Sequence, residues 1–133
     1  KIFTLGNKLR MYDRQGREII YIEQKLFKFL PEYTIYLKGR SKVVVKKEFT
    51  FFRPRFSIYG KDADYIIEGS FLAMDFTILE NKRAIAYVSK RWLSWGDTYE
   101  VDVVNHKDNA FILALVIIID QVLHNNKHTH NHS

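Results

Sequence analysis

Histidines, carboxylates and clustered Lys and Arg are the residues of this 133-residue chain most able to do chemistry. The histidines are poorly placed for it. His124, His128, His130 and His132 crowd a polar C-terminal stretch, and His106 lies in a turn-like Asn105-His106-Lys107. An alternating His tail binds soft divalent ions adventitiously, but a resident site needs rigid second-shell support that a terminal tail does not supply. No metal site or cofactor is expected. Without cysteine there is no thiolate ligand, thiol nucleophile or disulfide, a composition that suits a reducing cytoplasm. No G-x-S-x-G, H-E-x-x-H or glycine-rich phosphate loop occurs. Glu18, Glu23, Glu32, Glu68 and Glu100 alternate with apolar residues and are expected to face outward, with no spacing that recommends an acid–base pair. The expectation is a protein that is not an enzyme, with a hydrolase as the weakest alternative.

Binding is the better candidate. The net charge is +6 and the pI about 9.5, which draws a protein toward anionic partners. Lys46-Lys47, Arg53-Pro54-Arg55 and Lys90-Arg91 are basic doublets, and Lys38-Gly39-Arg40-Ser41-Lys42 has the form of a hairpin tip. If Lys46, Lys47, Arg53, Arg55, Lys90 and Arg91 converge, they can hold phosphates, with Arg acting bidentately. The competing reading is a set of solubilising charges that guard strand edges. Phe49, Phe51, Phe52, Phe56 and Tyr59 interleave with these charges as in a base-stacking surface, yet core packing explains them more simply, so nucleic acid is not the expected partner. Exposed rings are expected instead in the alternate phase, at Tyr21, Tyr36 and Tyr59.

What must position these residues is a repeated hairpin. An aromatic recurs at Phe3, Phe27, Phe49, Phe71 and Trp92, every 21 to 24 residues. Each is followed by an alternating triplet (Tyr33-Thr34-Ile35, Phe56-Ser57-Ile58, Phe76-Thr77-Ile78), then by a turn such as Asp13-Arg14-Gln15-Gly16 or Glu80-Asn81-Lys82. After the first four turns an aliphatic strand returns, with Ile20/Ile22, Val43/Val45, Tyr65/Ile67 and Ala86/Val88. About ten short strands result, and closing them into an antiparallel barrel would remove exposed edges. Phe27, Phe49, Phe71 and Trp92 are expected to be structural, packed on the interior.

Residues 110–123 (Ala-Phe-Ile-Leu-Ala-Leu-Val-Ile-Ile-Ile-Asp-Gln-Val-Leu) are too short an apolar run to cross a bilayer and too long for a typical strand. No transmembrane segment is expected. A helix apolar on every face must be buried on every face. The sequence predicts a central helix over 109–124, capped by Asp108 or Asn109, about 24 Å long and matched to strands of roughly 20 Å. Asp120 interrupts it near its C-terminus, where a negative charge is unfavourable. It is expected to be structural, reaching a rim to pair with a cation or a tyrosine, with cation binding as the alternative.

The run Lys90-Arg91-Trp92-Leu93-Ser94-Trp95-Gly96-Asp97-Thr98-Tyr99 resembles the LURP-one-related proteins, most of all the uncharacterised YxjI-like group of Bacillus. So does Ala114-Leu115-Val116-Ile117-Ile118-Ile119-Asp120. Lys25-Leu26-Phe27 and Lys47-Glu48-Phe49-Thr50-Phe51-Phe52 fit the same pattern. The resemblance implies the tubby C-terminal fold, a twelve-stranded barrel around a central hydrophobic helix. It groups the chain with phosphoinositide-binding tubby domains and with scramblases, although none of their ligand motifs is found here. Ten visible strands against the twelve of that fold leave one hairpin missing, so the resemblance implies that family members extend roughly one repeat further upstream.

The resulting expectation is mainly β: a closed antiparallel barrel over residues 1–126 and a polar, disordered tail over 127–133. Its expected role is to bind anionic phospholipid or another phosphorylated ligand, in the cytoplasm and peripheral to the membrane. A protein-interaction scaffold is the alternative.

Overall fold

A computed structural model describes the backbone of residues 2–5, 7–38, 42–51, 53–70, 73–93, 96–104 and 108–131. Side chains are described for the same residues except 2–5, 92–93, 96–97 and 124–131. Among the described residues ten strands and one helix follow in chain order, and their contacts gather into two compact units. Unit 1 joins Lys1–Lys42 to Asp108–Ser133, and unit 2 is Val43–Lys107.

Unit 1 holds β1 (Ile2–Leu5), β2 (Lys8–Tyr12), β3 (Glu18–Gln24), β4 (Glu32–Leu37) and α1 (Asn109–Asn131). Alternation decides which face each strand buries: Leu9 and Met11, Ile20 and Ile22, and Tyr33, Ile35 and Leu37 are sealed from water, while their neighbours are not. The β2–β3 turn forms where its sequence signal predicts. The Asp13 carboxylate accepts the backbone N–H groups of Gln15 and Arg17 at 2.9 and 3.0 Å, and Gly16 supplies the left-handed φ of 81°.

Unit 2 is a six-stranded antiparallel meander: β5 (Val43–Lys47), β6 (Arg55–Tyr59), β7 (Tyr65–Ser70), β8 (Asp75–Glu80), β9 (Arg83–Leu93) and β10 (Gly96–Val103). Val43, Val45, Phe56, Ile58, Tyr65, Ile67, Phe76, Ile78 and Val88 form its buried row. A bulge between Ile78 and Leu79 advances β9 by one residue, so that Ile85 and Ala86 are both buried. Asn81 and Lys82, at φ 48° and 70°, make the tight turn that this hairpin requires.

The helix forms for the reason its sequence suggests. Ala114 to Ile119 are six consecutive buried residues, more than a full turn, so the helix is covered on every side there. Of the two cap candidates Asp108 is the one used: its carboxylate accepts the Phe111 N–H at 3.2 Å. α1 packs on β3 and β4. It runs on to Asn131, past the expected end at 124 and through most of the tail expected to be disordered. No Gly or Pro lies between Leu123 and Asn131 to stop it.

Two expectations need correction. The ladder between β1 and β10 that a closed barrel requires is not seen among the described residues. Alternation and turn chemistry specify each hairpin locally and say nothing about whether the first and last strands meet. The recurring aromatics do not all pack inside either. Phe27 and Phe49 are exposed, Phe71 lies outside the described residues, and Trp92 is placed on β9 opposite Asp97 with its side chain outside them. Phe27 and Phe49 lie in hairpin loops, where the strand's inward–outward phase has ended.

Candidate functional site

The basic doublets all fall in unit 2, but adjacency in a strand separates them. Lys46 and Lys47 are consecutive on β5 and project to opposite faces, as do Lys90 and Arg91 on β9. Lys46 is exposed and lies 5.6 Å from the Tyr59 ring, while Lys47 is half-buried opposite Phe56. Lys90 reaches 5.8 Å from the ring of Tyr99, its partner in the ladder, and Arg91 pairs with Glu100 at 3.0 Å. Three strand steps separate β6 from β9, roughly 14 Å at ordinary strand spacing. Lys90 and Arg91 therefore do not join Lys46, Lys47, Arg53 and Arg55 in one cradle.

Arg55 is also withdrawn from the set. Its Nε lies 3.4 Å from Glu48 Oε2 and 3.9 Å from Glu68 Oε1, and Glu68 is its ladder partner. Glu48 in turn accepts a hydrogen bond from the Ser57 hydroxyl. A guanidinium flanked by two carboxylates is already compensated and has little to offer a phosphate.

What remains is the β5–β6 loop. Glu48 N–H donates to the Arg55 carbonyl at 2.8 Å and closes its base, and the Thr50 hydroxyl donates to the Arg53 carbonyl at 2.6 Å inside it. The chain between them turns its rings outward: Phe49 is 65% and Phe51 84% exposed, and they meet edge-on with centroids 5.3 Å apart. Arg53 is exposed beside them. It borders a shallow depression of about 210 Å³ floored by Glu68, Gly69, Ser70, Asp75 and Thr77. Ser89 Oγ donates to Asp75 at 2.9 Å on the same outer face. The loop is thus a basic-flanked aromatic tip, a feature that reading the aromatics as core concealed. A signal was present in the sequence. Phe49-Thr50-Phe51-Phe52 breaks the alternation between two basic pairs, which marks a loop rather than a strand.

Unit 1 carries a second tip of the same kind. The β3–β4 loop, Lys25-Leu26-Phe27-Lys28-Phe29-Leu30-Pro31, is closed by Lys25 N–H donating to the Glu32 carbonyl at 2.8 Å. Leu26, Phe27 and Phe29 all stand in solvent.

The outward carboxylates are occupied by local partners. Glu18 pairs with Arg10 at 2.9 Å, and Glu23 accepts the Tyr21 hydroxyl at 2.6 Å. Glu68 faces Arg55, and Glu100 faces Arg91. Asp120 is half-buried on α1. The side chains of His124, His128, His130 and His132, and all of His106, lie outside the described residues. Tyr36 and Tyr59 are exposed, as their phase predicts, and Tyr21 is half-buried. No helix among the described residues is long and apolar enough to cross a membrane.

Comparison with known proteins agrees with the sequence motifs. The uncharacterised protein YxjI of Bacillus subtilis (strain 168) is 35% identical over 127 residues, 96% of this chain and 77% of that protein. No solved structure matches. The sequence pattern of the LURP-one-related family fits residues 1–120, nearly the whole chain, and with that relative it shows that the protein belongs to the LURP-one-related family.

Proposed function

We propose that this domain is a non-catalytic module that docks on anionic phospholipid surfaces. The observation that carries the reading is the exposed Phe49–Phe51 pair, held on a closed loop with exposed Arg53 beside it and Lys46 and Lys47 on the strand that leads into it. An apolar tip beside cations matches the membrane interface, where rings enter the headgroup boundary and Lys or Arg meets phosphate. The net charge of +6 works in the same direction. Rings left in water return nothing to folding, so their use lies in contact with something else.

The test is co-sedimentation with phosphatidylcholine vesicles with and without phosphatidylglycerol. Binding is expected only with the anionic lipid and is expected to weaken with salt. Each cation near such a surface is worth about 1 kcal/mol, so Lys46→Glu/Lys47→Glu/Arg53→Glu should abolish sedimentation while Arg91→Glu leaves it nearly intact. Equal binding by all three proteins would remove the site.

One observation favours a protein-interaction role instead. Val101, Val103 and Val104, on and just after the outer strand β10, are exposed, and such a strand can add another chain's strand. Pull-down partners lost on Val101→Lys/Val103→Lys, with no lipid binding by the parent, would favour it.

A further inference from the structure

We infer that the β3–β4 loop of unit 1 is itself a membrane-inserting tip. Leu26, Phe27 and Phe29 would enter the acyl boundary of an anionic bilayer, and Lys25 and Lys28 would contact its phosphates. The inference rests on the lipid-docking reading, but it names a different segment, reached by separate observations.

The first is exposure. Phe27 is 103% and Phe29 90% exposed, with Leu26 at 56%. Three large apolar side chains within four residues, none contributing to a core, form a concentrated patch. The second is backbone conformation. Phe27 has φ 60°, the left-handed region that suits glycine and that a bulky side chain rarely occupies. Strain and ring exposure both work against folding, and they fall on the same residue. A left-handed residue inside the loop reverses the chain locally, and here that residue is the one whose ring stands wholly in water. Neither feature returns stability, which is the pattern expected where a conformation is kept for contact rather than for the fold.

The third is charge. From Lys25 to Pro31 the loop carries two cations and no anion, and Lys28 lies 4.0 Å from Glu32 at the start of β4. Lysine is depleted in the centres of protein–protein interfaces, whereas Lys beside Phe and Leu is the composition of interfacial membrane anchors. A convex tip also has no need of a preformed complementary pocket in a deformable bilayer. The charge and the shape together select an anionic lipid surface over a second copy of the chain.

The chain has no cysteine, so a single introduced thiol can be labelled cleanly. Phe27→Cys and, as a control in the β6–β7 turn, Asp62→Cys carry an environment-sensitive fluorophore and are mixed with phosphatidylcholine/phosphatidylglycerol vesicles. The expected result is a blue-shifted, brightened emission at position 27, quenched by lipids labelled on their acyl chains, with no change at position 62. Unlabelled Phe27→Ser/Phe29→Ser should lose on the order of 100-fold in partitioning and keep only a salt-sensitive remainder. Since neither ring touches the core, the variant should melt no lower than the parent. If the parent sediments but the probe at 27 stays aqueous, the tip does not insert, and the lipid reading survives without it. If the parent does not sediment with any vesicle, both fall. If Phe27→Ser/Phe29→Ser turns a dimer into a monomer with vesicle binding unchanged, a second copy covers the tip and the inference is wrong.

Discussion

Tyr21 and Tyr36 stand directly opposite each other on β3 and β4, their rings stacked with centroids 5.4 Å apart. The Arg10 guanidinium lies 4.4 Å from the Tyr21 centroid and is fixed there by Glu18, so three strands are tied on the outer face of unit 1. Cross-strand aromatic pairs are worth about 1 kcal/mol beyond simple area burial. Tyr36→Ala should lower the unfolding free energy read from urea melts by at least that amount, and Tyr36→Phe should not. Equal midpoints for all three proteins would show that the stack contributes nothing.

Stability should respond to pH at two places in the same hairpin. Hydrogen bonds from the Arg17 backbone, helped by its side chain and by the Gln15 N–H, hold the Asp13 carboxyl below its usual 3.8. The folded state therefore binds this proton less tightly than the unfolded chain. Its contribution is present above the unfolded value and lost as pH falls through the folded one. Tyr21 moves the other way: donation to Glu23, then burial, raises its phenol above 10.0. That contribution is present below the unfolded value and lost as pH rises through the folded one. Urea midpoints for Asp13→Asn should be flatter than the parent's in acid, and those for Tyr21→Phe flatter in alkali.

Gly69 on β7 leaves no room for a Cβ. A Cβ there would stand 2.5 Å from the Asp75 carbonyl oxygen and closer still to the Phe76 ring, which is itself buried. The overpacking should destabilise by about 2 kcal/mol, visible as a fall in Tm. Gly16, with nothing near its Cβ position, should suffer from its φ of 81° alone.

Within α1, Ile118→Ala empties a fully buried site and should destabilise by about 3 kcal/mol. Asp108→Ala removes the N-terminal cap for about 1 kcal/mol. Because Asp108 caps the N-terminus and Ile118 sits near the middle of the same helix, the double variant measures whether the helix unfolds as a unit. A cost near the simple sum means independent action.

Phe27→Gly should stabilise the protein. Relief of left-handed strain at about 1–2 kcal/mol exceeds the entropic penalty of glycine at about 0.5–1 kcal/mol, leaving a net gain of about 0.5–1 kcal/mol and a higher Tm. A drop in Tm would mean that the ring makes a contact its exposure does not suggest.

These cases show where the sequence was readable. Period-2 alternation located Ile20/Ile22, Phe56/Ile58 and Phe76/Ile78 as buried pairs, because inward projection is a local property of a strand. The apolar run 110–123 announced its helix and its burial for a similar reason. The recurrence at Phe27, Phe49, Phe71 and Trp92 was equally visible, but the role of Phe27 and Phe49 was not. A repeat says that positions are equivalent without saying which side of the last ladder pair they occupy. The pairing of Arg55 with Glu48 and Glu68 was not legible, because they reach it from a loop base and a neighbouring strand, and only the ladder register brings them there.

Unit 1 is discontinuous: α1 rests against β3 and β4, yet the whole of unit 2 lies between them in the chain. A ribosome therefore delivers Ile20, Ile22 and Ile35 long before the helix that packs beside them exists. Closing that contact carries a large chain-entropy penalty and makes folding slow. Throughout translation the nascent polypeptide must keep a sticky strand surface waiting. Refolding yield should consequently fall steeply with protein concentration, and a chaperone that shields β3 and β4 should restore it.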